Sequence, residues 1–275
     1  MPFTTSHPAI ILPLKQIWPR WWSLSGLMAG AMSPDLLYFL MMGTTERSFS
    51  HSWMGLFVFC VPAGMVFAFV FHRFFKRPFF GALPDPLDRF FSGLAASPFH
   101  IRSARDWLVL GMSVLVGALS HFFWDSWTHA HGAIASRIPL FLSYITVGGS
   151  SVQVTTILQH ASTLVGGGMI VWYAVTGRIV PPRLSDYHPI PSHRKRRFWM
   201  FAFLGSLLAV VLALQIWCGG FGFWTIAHAD RGTLIRAIGL GSWAGFFWAT
   251  CLCGVRARRE AEKHGRSRRY ENVLK

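Results

Sequence analysis

SHFFWDSWTHAHG, residues 120–132, packs His121, Asp125, His129 and His131 into eleven positions. His121, Asp125 and His129 follow at i, i+4 and i+8, so on an α-helix they share one face while Trp127 points the other way. Neutral imidazole together with carboxylate is the usual ligand set of a divalent transition metal such as zinc. The same run is otherwise fit for lipid, where an ionised group is costly unless a cation or a proton neutralises it.

Other ionisable groups fall at a similar depth. Six apolar stretches, roughly 21–42, 53–72, 107–128, 152–176, 199–218 and 237–254, are long enough or nearly so to cross a bilayer, which takes ~20 residues. Asp35 and Asp125 are the two carboxylates inside them, with His121 and His160 also inside and His72 at one end. A rise of ~1.5 Å per residue puts Asp35 and His121 ~10 Å below the outer end of their spans, His160 ~12 Å and Asp125 ~5 Å below. His51, His129 and His131 stand just above that level. The bland reading is that a lone intramembrane His bonds a neighbouring helix, and that Asp35 satisfies a backbone group freed by Pro34. Four such residues at one depth on three helices favour a shared site. His72, His100, His188 and His193 fall on the opposite side, and His228 and His264 read as surface groups.

The elements that must hold these residues follow from composition. The chain has 275 residues, 52% of them hydrophobic and 13% charged, which points to an all-α, polytopic transmembrane helical bundle of about six spans plus a short N-terminal helix. The +15 formal charge is unevenly placed. Alternate segments hold 22 and 4 of the 26 Lys and Arg, the positive-inside pattern of a protein with both ends cytoplasmic. RKRR at 194–197 and RARRE at 256–260 then read as anchors at anionic headgroups, and no nucleic-acid partner is expected. Cys60, Cys218, Cys251 and Cys253 lie in or beside apolar spans and lack metal-site spacing. LPDP at 83–86 marks a turn in a 73–106 loop, and the apolar decapeptide IPLFLSYITV after residue 137 is too short to span. Residues 1–180 read as a core carrying the site. Residues 181–275 read as a two-span region with a basic cytoplasmic tail.

The N-terminal PFTTSHPAIILPL admits two pictures. Ser6 or His7 could cap a helix with Pro8 at its first position, running down to Arg20 and lifting His7 ~20 Å, near the level of Asp35. Alternatively the segment lies on the cytoplasmic surface and His7 takes no part.

MPFTTSHPAIILPL at the start, MSPDLLYF at 32–39, FSHSWMGLF at 49–57, SHFFWDSWTHAHG at 120–132 and LQHAS at 158–162 together resemble the domain of unknown function 4184 family. That family is itself similar, more distantly, to bacterial membrane-bound metal-dependent hydrolases, with their early His, Pro-Asp, His-Ser and His-x-x-x-Asp elements. The resemblance implies a metal site of His7, Asp35, His51, His121 and Asp125, and favours a buried His7. His160 belongs to the nearer family's pattern, and His129 and His131 are further ligands to consider.

The leading expectation is a metal-dependent hydrolase of the bacterial inner membrane. Imidazoles and one Asp would hold a divalent ion, zinc before others, and the second carboxylate, Asp35 or Asp125, would act as general base or complete the shell. A site at this depth suits an ester or phosphoester of a membrane lipid. The alternatives are a proton- or cation-coupled transporter and a noncatalytic membrane scaffold. Every expected ligand precedes residue 161, which disfavours a transporter built from two equivalent halves.

Overall fold

The computed structural model describes residues 4–42, 49–178, 187–218 and 230–273. The expected 43–48 and 219–229 loop segments, the PPR at 181–183, His228 and the side chain of His264 lie outside those residues. The chain is an all-α bundle. After a 3₁₀ helix, Thr4–Ile11, come α1 (Leu12–Ile17), α2 (Leu24–Leu40), α3 (Trp53–Ala82), α4 (Leu87–Phe90), α5 (Ser92–Ala96) and α6 (Ala104–Thr128). Then follow α7 (Pro139–Leu142), α8 (Val154–Val175), α9 (Ser192–Cys218) and α10 (Arg231–Val273). Among the described residues five helices, α3, α6, α8, α9 and α10, are long and apolar enough to cross a membrane, and α2 is apolar but shorter at 17 residues.

Each of the six apolar runs lies largely within one of these helices, because a backbone in lipid must satisfy its polar groups internally. Two features differ from the sequence reading. Helix α3 continues through the first ten residues of the expected 73–106 loop, where Arg73, Lys76 and Arg77 can run their stems along apolar surface. It contains two π-turns, Leu56–Cys60 and Phe71–Phe75. The first precedes Pro62, which has no N–H to offer its own turn, and the Val61 N–H bonds back to the Leu56 carbonyl. The apolar decapeptide forms α7 and then half of a β-hairpin, Tyr144–Val147 against Ser150–Gln153, with Gly148 and Gly149 at φ 56° and 80° in its turn. Two adjacent positive φ values are the signature of a tight hairpin turn that only glycine adopts freely.

Contacts gather the chain into two units, Met1–Leu37 with Glu46–Ala68 and His100–Val180, and Tyr38–Thr45 with Phe69–Phe99 and Pro181–Lys275. The first is organised by the crossing of α2 and α6. Gly26 and Gly30 on α2, and Ser113 and Gly117 on α6, are each spaced i, i+4 and so line one face. A Cβ on Gly30 would lie 2.1 Å from the Val114 carbonyl oxygen, and one on Gly117 would lie 2.3 Å from the Leu27 carbonyl oxygen. The two backbones are therefore in contact. Small residues permit such an approach, which drives helix association where lipid is as apolar as the side chains. Ser33 hydroxyl donates to the Gly30 carbonyl, the acceptor left free by Pro34. Helix α3 closes on the pair through Leu56 and Cys60 against Ala118, and through Gly64 against Val114.

In the second unit the Asp88 carboxylate is buried and takes a 2.6 Å hydrogen bond from Lys195 Nζ. Burial pushes that carboxyl up, but Lys195, the Arg89 N–H and the Tyr187 hydroxyl outweigh it and hold it below the usual carboxylate range. The stabilisation is thus present at neutral pH and is lost as pH falls through the depressed folded value. Lys76 is likewise buried, and its ammonium is held by the carbonyl and hydroxyl of Ser97 at the end of α5.

Two outcomes follow from this packing. Gly117→Ala should destabilise the protein by at least ~1–3 kcal/mol, whereas Gly168→Ala, whose Cβ would meet nothing within 4 Å, should not; thermal unfolding in detergent reads both. Lys195→Met should cost ~3–5 kcal/mol by stranding a buried charge, and much less in an Asp88→Asn background.

Candidate metal centre

Four segments of the first unit deliver the ionisable groups. On α6, His121 lies one turn beyond the Gly117 crossing and Asp125 one turn further. Helix α6 then ends at Thr128, so His129 is not on its face as the i, i+8 spacing implied. His129 is its C-cap, extended at φ −104° and ψ 139°, with its N–H on the Asp125 carbonyl. The side chain nevertheless returns to Asp125. Asp35 comes from α2, five residues past Gly30. His51 sits just before the Ser52 N-cap of α3, whose hydroxyl oxygen accepts the Gly55 N–H.

His7 belongs to the 3₁₀ helix, in which Pro8 is internal and not the first residue of an α-helix running to Arg20. Pro13 stands at the start of α1, which ends at Ile17. Two prolines five residues apart lack the amides that one continuous α-helical ladder would use. The 3₁₀ helix seats against α8, where Gly166 leaves room for the Ser6 backbone and Ser6 hydroxyl donates to the Thr163 carbonyl. His7 is buried there, so the surface-lying picture of this segment does not hold.

The groups converge tightly. His7 Nε2 is 3.1 Å from Asp125 Oδ1, and His121 Nε2 is 3.3 Å from Asp125 Oδ2. His51 Nε2 lies 3.5 Å from Asp35 Oδ1 and 3.8 Å from Asp125 Oδ2. His121 Nε2 also lies 3.9 Å from Asp35 Oδ2, and His129 Nδ1 is 3.3 Å from Asp125 Oδ1. Ligand atoms about a tetrahedral ion bonded at ~2.0–2.1 Å are ~3.3 Å apart, which matches most of these separations. By separation alone, two sets of three, His7–His121–Asp125 and Asp35–His51–His121, could hold a metal ion, each presenting ligand atoms within 4.8 Å of one another. The cluster is open on one side. His7, Asp35 and His121 side chains are 1, 1 and 0% exposed, against 15, 23 and 26% for Asp125, His51 and His129.

One hydrogen bond decides the electrostatics. His121 Nδ1 is 2.8 Å from the Ala31 carbonyl oxygen, which can only accept, so Nδ1 carries the proton. In the neutral ring Nε2 then presents a lone pair to two carboxylates. That arrangement is repulsive unless a positive charge lies between them. Hydrogen-bonding one imidazole nitrogen to a carbonyl is also how proteins aim the other at a metal. Asp35 is oriented in turn by the Thr4 hydroxyl, which donates to Oδ2 at 2.7 Å. Because Ser33 already serves the carbonyl freed by Pro34, Asp35 is not needed for that backbone repair.

Of the residues read from the sequence, His7, Asp35, His51, His121 and Asp125 come together, and His129 joins them. Thr4 and the Ala31 carbonyl were missed. Gly26-x-x-x-Gly30 and Ser113-x-x-x-Gly117 were the signals that could have placed Ala31 beside His121. His160 does not join. Its side chain is exposed on α8, whose buried seam runs through Thr155, Gly166 and Tyr173, with Gln159 tied to the Thr128 carbonyl. One residue beyond Gln159 is rotated ~100° around the helix, off that seam. His131 is exposed as well and stands outside both ligand sets.

Residues 1–255 match the family model described as Domain of unknown function (DUF4184). No curated protein and no solved structure matches the chain.

His160→Gln should therefore leave the metal content of the purified protein within error of wild type, in contrast to substitutions at the converging residues. A ~10-fold or larger loss of affinity would place His160 in contact with the ligand shell instead.

Proposed function

For this chain, which belongs to the DUF4184 family, we propose a metal-dependent hydrolase of the bacterial inner membrane. The observation that carries the reading is the His121 Nδ1 bond to Ala31, which turns Nε2 toward two buried carboxylates. Asp125, within 3.8 Å of four imidazole nitrogens, is the ligand common to the whole cluster. His7, His51 and His121 supply nitrogen ligands, and zinc suits such a mixed nitrogen and oxygen set. Asp35, fixed by Thr4, completes the shell or accepts the proton of the attacking water. A bound ion would supply a water nucleophile of pKa ~7 and polarise the carbonyl or phosphoryl oxygen under attack.

The distant resemblance to membrane-bound metal-dependent hydrolases supports this reading, as does the partly open face formed by His51, Asp125 and His129. The charge distribution supports an orientation with both termini cytoplasmic, and the substrate that fits a site within the outer half of the membrane is an ester or phosphoester of a lipid. A transport reading would need access from two sides. His7, Asp35 and His121 are instead buried, which disfavours that reading.

Purified wild-type protein should carry divalent metal, and His121→Ala should lose most of it while remaining folded. Metal-free wild-type protein that takes up no added zinc would sink the proposal. Hydrolysis of phospholipid or short-chain ester by the loaded protein, abolished by chelation and restored by zinc, is the matching activity result. Reporter fusions should find Lys275 in the cytoplasm; an external Lys275 would invert the orientation.

A further inference from the structure

The ligands divide in a way that a single ion does not explain. Asp125 faces a different pair of imidazoles with each oxygen. Its Oδ1 is 3.1 Å from His7 Nε2 and 3.3 Å from His129 Nδ1, while its Oδ2 is 3.3 Å from His121 Nε2 and 3.8 Å from His51 Nε2. Asp35 reaches the second pair, with Oδ1 3.5 Å from His51 Nε2 and Oδ2 3.9 Å from His121 Nε2. An imidazole binds an ion along a lone pair that lies in its ring plane. The rings of His7 and His121 are stacked, with centroids 4.0 Å apart and planes inclined by 13°. Near-parallel planes side by side do not converge on one point close to both Nε2 atoms. His121 cannot serve two ions itself, because its Nδ1 is bound to Ala31.

We propose that the centre is binuclear, with Asp125 bridging two divalent ions. This rests on the metal reading above and concerns how the ligands are shared. One position takes Asp125 Oδ1, His7 and His129; the other takes Asp125 Oδ2, His51, His121 and Asp35. Paired ions in hydrolytic centres stand ~3.5–4 Å apart, close to the His7–His121 ring separation. The first position has three protein ligands and keeps a place for water or substrate, as catalytic sites do. It also includes His129, on the open side of the cluster.

The charge of such a centre selects its substrate. Two divalent ions exceed two carboxylates by two positive charges, an excess that suits a phosphoester anion and not a neutral acyl ester. The reaction is hydrolysis of that ester. The water oxygen bonds to phosphorus, the bond from phosphorus to the alcohol oxygen breaks, and one water proton ends on the departing alcohol. The second ionises to the medium or stays on the phosphate.

The test uses the full chain in detergent, stripped and reloaded with Mn²⁺, with metal content and electron paramagnetic resonance as readouts. Wild type should bind about two ions per chain at saturation and show an exchange-coupled spectrum. His129→Gln and His7→Gln should each retain about one ion with an uncoupled spectrum. His129 caps the end of a helix with a partly exposed side chain, so His129→Gln covers the case in which His7→Gln does not fold. One uncoupled ion in wild type would overturn the binuclear centre and leave the metal reading standing. No ion at all would overturn both. Two coupled ions in His129→Gln would overturn this division of the ligands.

Discussion

The bond from His121 Nδ1 to the Ala31 carbonyl exists because two helix backbones touch. At 2.8 Å it needs α2 and α6 closer than side chains normally allow, and Gly30 and Gly117 supply that closeness. The consequences accumulate along α6. Fixing His121 fixes the ring plane that its Nε2 lone pair occupies, and Asp125 one turn later inherits the same face. The 3₁₀ helix then needs only the gap at Gly166 to bring His7 onto that carboxylate. Loss of either crossing glycine would disturb the electrostatics of the centre before it touched a ligand.

The two units handle buried acids differently. Asp88 is neutralised by a lysine ammonium with further hydrogen bonds, the ordinary solution for a structural carboxylate. Asp35 and Asp125 are faced by imidazoles and the Thr4 hydroxyl. Imidazoles compensate a carboxylate fully only when they are protonated or when they share a cation with it. A scaffold that needed only packing would gain nothing from placing two acids together, since like charges at this distance oppose each other.

How much of this was legible depends on the signal each feature leaves in the sequence. Apolar runs of membrane length fix helices strongly, which is why six apolar helices could be read, five of them long enough to span, although α3 and α10 extend beyond their runs. Asp35, His121 and Asp125 stood out because ionisable residues are rare in such runs. His51 and His7 came through the family pattern, since no periodicity reaches from an N-terminal 3₁₀ helix to a residue 118 positions away. His160 misled because its depth matched that of Asp35 and His121 while its helix face did not, the face being set by Gln159 and Gly166. The hairpin was missed although Val-Gly-Gly-Ser between β-branched residues is a turn signal; the apolar count of the decapeptide obscured its alternation. Thr4 could not be read at all, because a hydroxyl near a chain start has no pattern that distinguishes a carboxylate partner from solvent.

The separation between Ala31 and His121 also sets an order of events during biosynthesis. They are 90 residues apart, so at ribosomal rates α2 waits roughly 5–18 s before the imidazole that recognises its carbonyl has been made. For most of that interval Asp35 occupies an apolar helix with Thr4 and, once made, His51 as its early partners, while His121 and Asp125 are still to come. An Asp costs up to ~3 kcal/mol on insertion scales, the most at the centre of a span, a cost that would leave α2 loosely committed to the bilayer. Entry of α6 would then do more than add a helix. It would convert a reluctant segment into a settled one, coupling the membrane commitment of the first half of the chain to the appearance of the residues that could hold a metal ion.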